Sequence, residues 1–458
     1  MSQCIPVKID FNENTPEVQR LISVTPSETQ LRFHSLGYYS FIHYGMNTFT
    51  RREWGTGKES PSQFNPKKVD TDQWVRVLKE SGSKMIIFTA KHHDGFCLFQ
   101  TQFTDHSIKN SPYQSGKGDI VRQLADSCRK YGVELGIYLS PWDRHDKRYG
   151  TQAYNDYFVN QLTELCTNYG RISCFWFDGA KGREAPDFDY DFERYYKTIL
   201  SLQPGCIISN CGPDVRWIGN EAGKCRESEW NVVPKDLFSI STIQEKSQHE
   251  DKKSAIPSVV KATDSDIGSR SALEKYNELM WYPAEADVSI HRGWFYSRFP
   301  KRKKAEDLAG IYFNTVGANA SLLMNVPPSR KGIIEPKDVR TLKKFREYIN
   351  SHFKEKLEAQ LISDSLSLSD GEDRIEFCFA SPEDVRTIVI EEDLTKSQRV
   401  EAFEVYSQNG EALSKIFNGT VIGSRRIIRL DGIKAEKISF VFTESRGCPK
   451  IKKVEFYK

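Results

Sequence analysis

No apolar run in this 458-residue chain approaches the roughly 18 residues that span a bilayer, which excludes a membrane-spanning helix. The opening residues, MSQCIPVKID, lack a basic stretch followed by an apolar one, so no signal peptide is expected in this chain. Charge of one sign is also lacking. The 65 basic and 62 acidic residues leave a net charge of +3, and no long basic block stands out. Nucleic acid and membrane surfaces are therefore not expected partners. None of the 10 cysteines sits in a CxxC pair. They read as small, buried, reduced side chains rather than a disulfide framework. There is no HxH, no HExxH and no second cluster at ligand spacing, so no metal and no cofactor is expected.

A repeat is present. SKMIIFTAKHHDGF, VELGIYLSPWD, ISCFWFDGAKG and GCIISNCGPD are short apolar runs that end in polar residues. Such runs read as buried parallel strands. Helical patterns lie between them, as in GDIVRQLADSCRKYG, where Val121, Leu124, Ala125 and Cys128 share one face. These patterns end at Gly82, Gly132, Gly170 and Gly205, as helix C-termini prefer. YYSFIHYG supplies a first strand, ASLLMNVPP a last strand and PKDVRTLKKFREYINSHF a closing helix.

The predicted fold is a (β/α)8-like barrel over residues 1–350, followed by an antiparallel β-sandwich over residues 351–458. An open doubly wound sheet is disfavoured, because no glycine-rich phosphate fingerprint follows the first strand. Residues 212–260 read as loop. After residue 351 the texture changes to short alternating runs such as RIEFCFA, VRTIVIEED, IIRL and KISFVFTE. That domain reads as a brace for the barrel rather than a sugar-binding module.

Chemistry in a parallel barrel gathers at the C-terminal strand ends. Those ends carry His43, Lys91-His92-His93-Asp94, Ser140-Pro141-Trp142-Asp143, Asp178 and Asn210. Asp178 closes the most aromatic short run in the chain, Phe175-Trp176-Phe177. A carboxylate there is expensive unless something uses it. Held rigidly beside Trp176, it can attack a carbon or stabilise a cation, although an aspartate at such a junction can also simply cap a helix. His92 and His93 suit hydrogen bonds to hydroxyl groups. Glu53 and Trp54 in RREWGTG place a carboxylate and an aromatic face in a glycine-flanked loop. A partner acid must come from Asp214, Glu221, Glu227 or Glu229 in GPDVRWIGNEAGKCRESEW, and loop spacing alone cannot choose among them.

The segments FIHYGMNTF, EWGTG, KHHDGFCLF, YLSPWDRH, FWFDGA, GPDVRWIGNEAG, GWFY and LLMNVPP, in order between residues 30 and 330, resemble glycoside hydrolase family 29, the α-L-fucosidases. GPDVRWIGNEAG and HRGWFY resemble the branch that prefers fucose α-1,3- or α-1,4-linked to a branched N-acetylglucosamine, as in Lewis-type glycans. The resemblance implies a retaining exo-α-L-fucosidase acting on a fucosylated oligosaccharide or glycoconjugate. It makes Asp178 the nucleophile and Glu221 the first choice for general acid/base, with Glu227 and Glu229 as alternatives. It places His43, Glu53, Trp54, His92, His93, Tyr138 and Trp294 around the fucose, and Trp142, Asp214 and Arg216 against the rest of the glycan. A glycan-degrading role favours a secreted or periplasmic setting, with any signal peptide absent from this chain. The competing readings are a fucose-binding lectin-like protein and a retaining glycosidase for another sugar or linkage.

Overall fold

The computed structural model describes residues 13–182, 184–186, 188–238, 260–362 and 374–458. The apolar runs form β1 (Tyr38–Ile42), β2 (Met85–Lys91), β3 (Glu134–Leu139), β4 (Cys174–Phe177) and β5 (Ile207–Asn210). Every residue in them except Glu134 is buried. They are followed by β6 (Arg216–Trp217), β7 (Val232–Pro234), β8 (Leu279–Trp281), β9 (Ala284–Ser289) and β10 (Ser321–Asn325). Eight of these lie in one sheet, ordered β5-β4-β3-β2-β1-β10-β9-β6, and each neighbouring pair is parallel. A parallel bridge between Ser209 and Val215 brings β6 back beside β5, so the barrel is nearly closed. β7 and β8 form a separate antiparallel pair.

The expected helices run over Thr71–Glu80, Ile120–Tyr131, Gln152–Asn168, Phe192–Leu202 and Pro336–Ser351. Three begin at an aspartate whose carboxylate accepts an orphan first-turn amide: Asp70 from Gln73, Asp119 from Arg122 and Asp191 from Arg194. Gly132 closes its helix with φ at 64°, a conformation that penalises any residue with a Cβ.

Two strands of the barrel, β6 and β9, escaped the sequence reading, as did the β7–β8 pair. β6 is short and sits in the stretch read as loop. It leaves β5 through a tight reversal at Asn210, whose φ is 66°. β9 alternates small outward residues (Ala284, Ala286, Val288) with polar ones (Glu285, Asp287, Ser289), all buried. It therefore lacks the continuous apolar run that marks the other strands.

Period-two alternation splits the apolar residues into two compartments. One face packs against the helices. The other fills the barrel with Tyr39, Phe41, Ile87, Tyr138, Trp176 and Leu323. Phe33 and Leu36, on the helix Glu28–Leu36, join this inner cluster. The same helix uses Arg32 to bond the carbonyls of Ser173 and Gly205, which precede β4 and β5. The helix therefore plugs the N-terminal end and leaves only the C-terminal end open.

The C-terminal region forms one antiparallel sheet wrapped around its own apolar cluster. Its strands are longer than the sequence suggested. RIEFCFA and VRTIVIEED belong to one strand, Arg374–Glu392, and IIRL and KISFVFTE to another, Arg426–Ser445. Their pairing shifts register between Cys378 and Glu383. Pro382 sits in that irregularity, where a missing N–H is tolerated. Among the described residues, no helix is long and apolar enough to cross a membrane. Cys97, Cys128, Cys166, Cys174, Cys206, Cys211, Cys225 and Cys378 are free thiols, and Cys4 lies outside the described residues.

Candidate active site

β4 delivers Asp178 to the open end of the barrel. Its Oδ2 accepts a hydrogen bond from the Tyr138 hydroxyl at 2.8 Å, and its Oδ1 accepts the Ala180 amide at 2.8 Å. His93 Nε2 lies 3.6 Å from Oδ2. The side chain keeps 21% of its surface exposed, so the carboxylate is anchored yet reachable.

The state of His93 follows from its partner. Ser140 has one hydroxyl proton and donates it to the Trp142 carbonyl at 2.6 Å. Ser140 Oγ therefore accepts from His93 Nδ1–H, at 2.7 Å. Burial lowers the pKa of His93 to about 4, with Asp178 opposing, so the ring is neutral near pH 7. Its bare Nε2 then faces the cavity as an acceptor for a hydroxyl proton. His43 is likewise lowered to about 4 by burial, and His92 lies well below its usual value for the same reason. Three neutral imidazoles suit an uncharged polyol.

The remaining rings make one continuous wall. His92 stacks on Tyr138, with centroids 5.4 Å apart, and its ring centroid lies 5.7 Å from that of His43. His43 packs at 5.2 Å from Trp294. On the other side His93 meets Trp142 at 4.9 Å and Trp54 at 5.8 Å. Phe41 forms the floor, edge-on to Trp176 at 5.0 Å and to Trp294 at 6.2 Å.

Two loops complete the rim. Glu53 Oε2 accepts the Trp294 amide at 2.9 Å. Burial raises the Glu53 pKa, opposed by the amides of Trp294 and Phe295. Glu221 is exposed, and its Oε2 accepts the Trp294 indole N–H at 3.4 Å. The Glu221 loop is docked on β9, where the Gly223 amide donates to the Asp287 carbonyl at 3.2 Å and Ala222 bridges Val288.

Asp178, His43, Glu53, Trp54, His92, His93, Tyr138, Trp142, Trp294 and Glu221 thus meet around one opening. The other candidates do not. Asp214, expected against the glycan, turns inward and accepts the Ile208 amide at 2.8 Å. Burial raises its pKa to about 6. Arg216, also expected against the glycan, is buried and bonds Glu229 and the carbonyls of Tyr282 and Trp230. Glu229 is fully buried between Arg216 and Arg226, and this pairing withdraws it from the opening. Glu227 lines a separate groove with Trp230, Arg270 and Glu401 on the side of the C-terminal sheet.

Two buried carboxylates were not anticipated. Glu285 lies beneath the site and accepts hydrogen bonds from the Trp176 indole (2.6 Å), the Tyr39 hydroxyl and Ser209 (3.3 Å). Asp287 accepts the Trp217 indole at 2.9 Å. Their only sequence signal is the alternation in AEADVS. Among the described residues, no three His, Cys, Asp or Glu side chains cluster as metal ligands.

Burial raises Glu285 to about 7, and burial also raises Asp94 to about 7. Both hold their protons more tightly folded than unfolded. Between about pH 4.5 and 7 the unfolded chain releases protons that the native state keeps, so stability falls as pH rises. His43, His92 and His93, held neutral by burial, act with the opposite sign below about pH 6.5, so the carboxylate contribution is read as a difference. In thermal unfolding followed by circular dichroism, the Tm advantage of the wild type over Glu285→Gln is expected to be larger at pH 5 than at pH 8. An advantage that grows from pH 5 to pH 8 would contradict the assignment.

An aromatic-floored opening of this kind, lined by carboxylates and neutral imidazoles at the C-terminal end of a parallel barrel, suits a glycoside hydrolase. The Alpha-L-fucosidase family model matches residues 27–353. Alpha-L-fucosidase 1 of Arabidopsis thaliana is 36% identical over 468 residues, covering 94% of this chain and 87% of that protein. A glycoside hydrolase 29 family member from an unknown rumen bacterium superposes with a TM-score of 0.82 at 36% identity, covering 95% of this chain and 77% of that one. A Ruminococcus gnavus GH29 fucosidase in complex with fucose superposes with a TM-score of 0.80 at 28% identity, covering 96% and 95% of the two chains. The chain belongs to glycoside hydrolase family 29, the α-L-fucosidases.

Proposed function

We propose that the protein is a retaining exo-α-L-fucosidase that removes terminal α-1,3- or α-1,4-linked L-fucose from branched, Lewis-type glycans. The observation that carries this reading is the unbroken chain of contacts from Asp178 through His93, His92, His43 and Trp294 to Glu221. It sets an anchored, partly exposed carboxylate and a loop carboxylate on one pocket. Fucose has three ring hydroxyls beside the anomeric carbon and a methyl in place of a hydroxymethyl. The imidazoles and Glu53 suit the hydroxyls, and Trp294 and Phe41 suit the methyl.

In the first step Asp178 attacks C1, the glycosidic C–O bond breaks, and Glu221 gives its proton to the departing oxygen. In the second step Glu221 takes a proton from water, which attacks C1 and releases the Asp178 ester as fucose with its anomeric configuration retained. Tyr138 and the Ala180 amide hold the two oxygens of Asp178, one each, and so fix the angle of attack. The linkage preference rests on the GPDVRWIGNEAG and HRGWFY segments, which carry Glu221 and Trp294.

The direct test offers an α-1,3- or α-1,4-fucosylated trisaccharide and an α-1,2-fucosylated one, with the released anomer read by NMR before mutarotation. α-Fucose released from the first substrate alone is expected. Equal release from both would sink the linkage claim, and β-fucose would sink the retaining mechanism. For Glu221→Gln, the alkaline limb of kcat/KM against pH is expected to disappear, because that limb reports loss of the acid's proton. An unchanged limb would move the role to another group.

A further inference from the structure

The even overall charge hides a local excess. The loop between β9 and the helix Ala305–Thr315 reads RGWFYSRFPKRKK over residues 292–304, with six basic residues and no acidic one. Two of the six are engaged. Arg302 pairs with Asp338 at 2.6 Å, and Lys303 donates to the Ser289 carbonyl at 3.0 Å. Arg292, Arg298 and Lys301 are exposed, and none of their side chains forms an ion pair among the described residues. Phe299, between Arg298 and Lys301, is 84% exposed, more than any other large apolar side chain described. The Arg298 guanidinium lies 5.4 Å from its ring centroid.

Neighbouring loops add to the same field. β9, β10 and β1 are adjacent in the barrel, so their loops share one sector of the rim. The loop after β1 carries exposed Arg51 and Arg52, and the loop after β10 carries exposed Lys331. Arg330 bonds the Thr48 and Phe49 carbonyls and lies near enough to Arg51 for that charge to lower its pKa, after the larger effect of burial. The Glu53–Trp294 bond ties this sector to the pocket. Two of the acids nearby are committed elsewhere: Glu53 to the Trp294 amide, and Asp338 to Arg302 and His291. Glu335 also lies in this sector, close enough to raise the Tyr296 pKa after the larger effect of burial, and offsets part of the positive charge.

We propose that this basic sector, with Phe299 as a stacking face, is a subsite for an anionic substituent on the glycan beyond the fucose. The substituent is a sulfate ester or the carboxylate of an acidic sugar. The proposal rests on the reading that the Trp294-lined pocket holds the terminal fucose. Guanidinium groups bind oxyanions through paired N–H donors, and clustered like charges steer an oppositely charged substrate towards the opening. An apolar ring beside them can cover one face of a sugar.

The test compares kcat/KM for three substrates with the same fucosyl linkage: neutral, sulfated, and capped with an acidic sugar. At low ionic strength the ratio of anionic to neutral substrate is expected to be about tenfold or more, and to fall towards one as salt shortens the screening length. In Arg298→Glu/Lys301→Glu the ratio is expected to drop to one or below. Preference for one anion only would identify the source of the charge. A wild-type ratio of one, or a preference that survives salt or charge reversal, would overturn the subsite while cleavage of the neutral substrate leaves the pocket standing. No cleavage of any of the three would overturn the pocket assignment and the subsite with it.

Discussion

Asp178→Asn is expected to lower kcat by at least about 10³-fold, about 4 kcal/mol of transition-state stabilisation, with the fold intact. The introduced carboxamide matches the site closely. Its oxygen can keep the Ala180 amide bond, and its nitrogen can donate to the Tyr138 oxygen or to the bare Nε2 of His93. What it cannot do is form the ester with C1. Loss of rate without loss of Tm would therefore isolate nucleophilicity from packing. The complementary variant, Asp178→Gly, vacates the face from which C1 is attacked. Added azide is expected to enter there and give β-L-fucosyl azide, the inverted product. Asp178→Asn retaining a tenth of the wild-type kcat would remove Asp178 from the role of nucleophile.

The second large effect is expected at Glu285, which touches no substrate in this reading. Glu285→Ala removes the acceptor for the Trp176 indole, the Tyr39 hydroxyl and Ser209 in a fully buried site. Orphaned buried donors cost about 1–3 kcal/mol each, and a cavity adds to that, so a loss of about 3–5 kcal/mol in stability is expected. The effect is expected to reach the site. Trp176 stacks on Tyr138 with ring centroids 5.4 Å apart, and Tyr138 holds Asp178. Glu285 is a positioning residue, separated from Asp178 by Trp176 and Tyr138.

Glu285→Gln separates the two consequences. It preserves volume and one acceptor, so most of the stability is expected to return. It also removes the titration, so its Tm gap to the wild type is expected to narrow from pH 5 to pH 8. A gap that does not change with pH would assign the pH dependence to another group. Full wild-type stability in Glu285→Ala would mean that water replaces the carboxylate without cost.

Much of the architecture is legible in the amino-acid sequence. The runs ending at Lys91, Leu139, Phe177 and Asn210 are buried on both faces, and continuous apolar character is what such strands require. Once parallel strands are recognised, their C-terminal ends must share one opening, and that alone groups Asp178 with His43, His92 and His93. β9 does not yield to the same reasoning. Its inner face carries Glu285 and Asp287, and carboxylates beside alanines look like a solvated segment until partners for them are known. The long strands of the C-terminal sheet read as separate short runs because register shifts between Cys378 and Glu383 and between Val385 and Thr387 interrupt their alternation.

Residue types and local periodicity therefore determined the barrel, its open end and the strand-borne half of the site. Only the tertiary structure decided which acid of the 212–230 segment reaches that end. Asp214, Glu227, Glu229 and Glu221 are alike in chemistry and close in sequence. They are told apart by their partners: the β5 backbone for Asp214, Arg216 on β6 together with the neighbouring Arg226 for Glu229, the C-terminal sheet for Glu227, and Trp294 for Glu221. A carboxylate's role depends on the field and the donors around it, and those are set by contacts that no local pattern encodes.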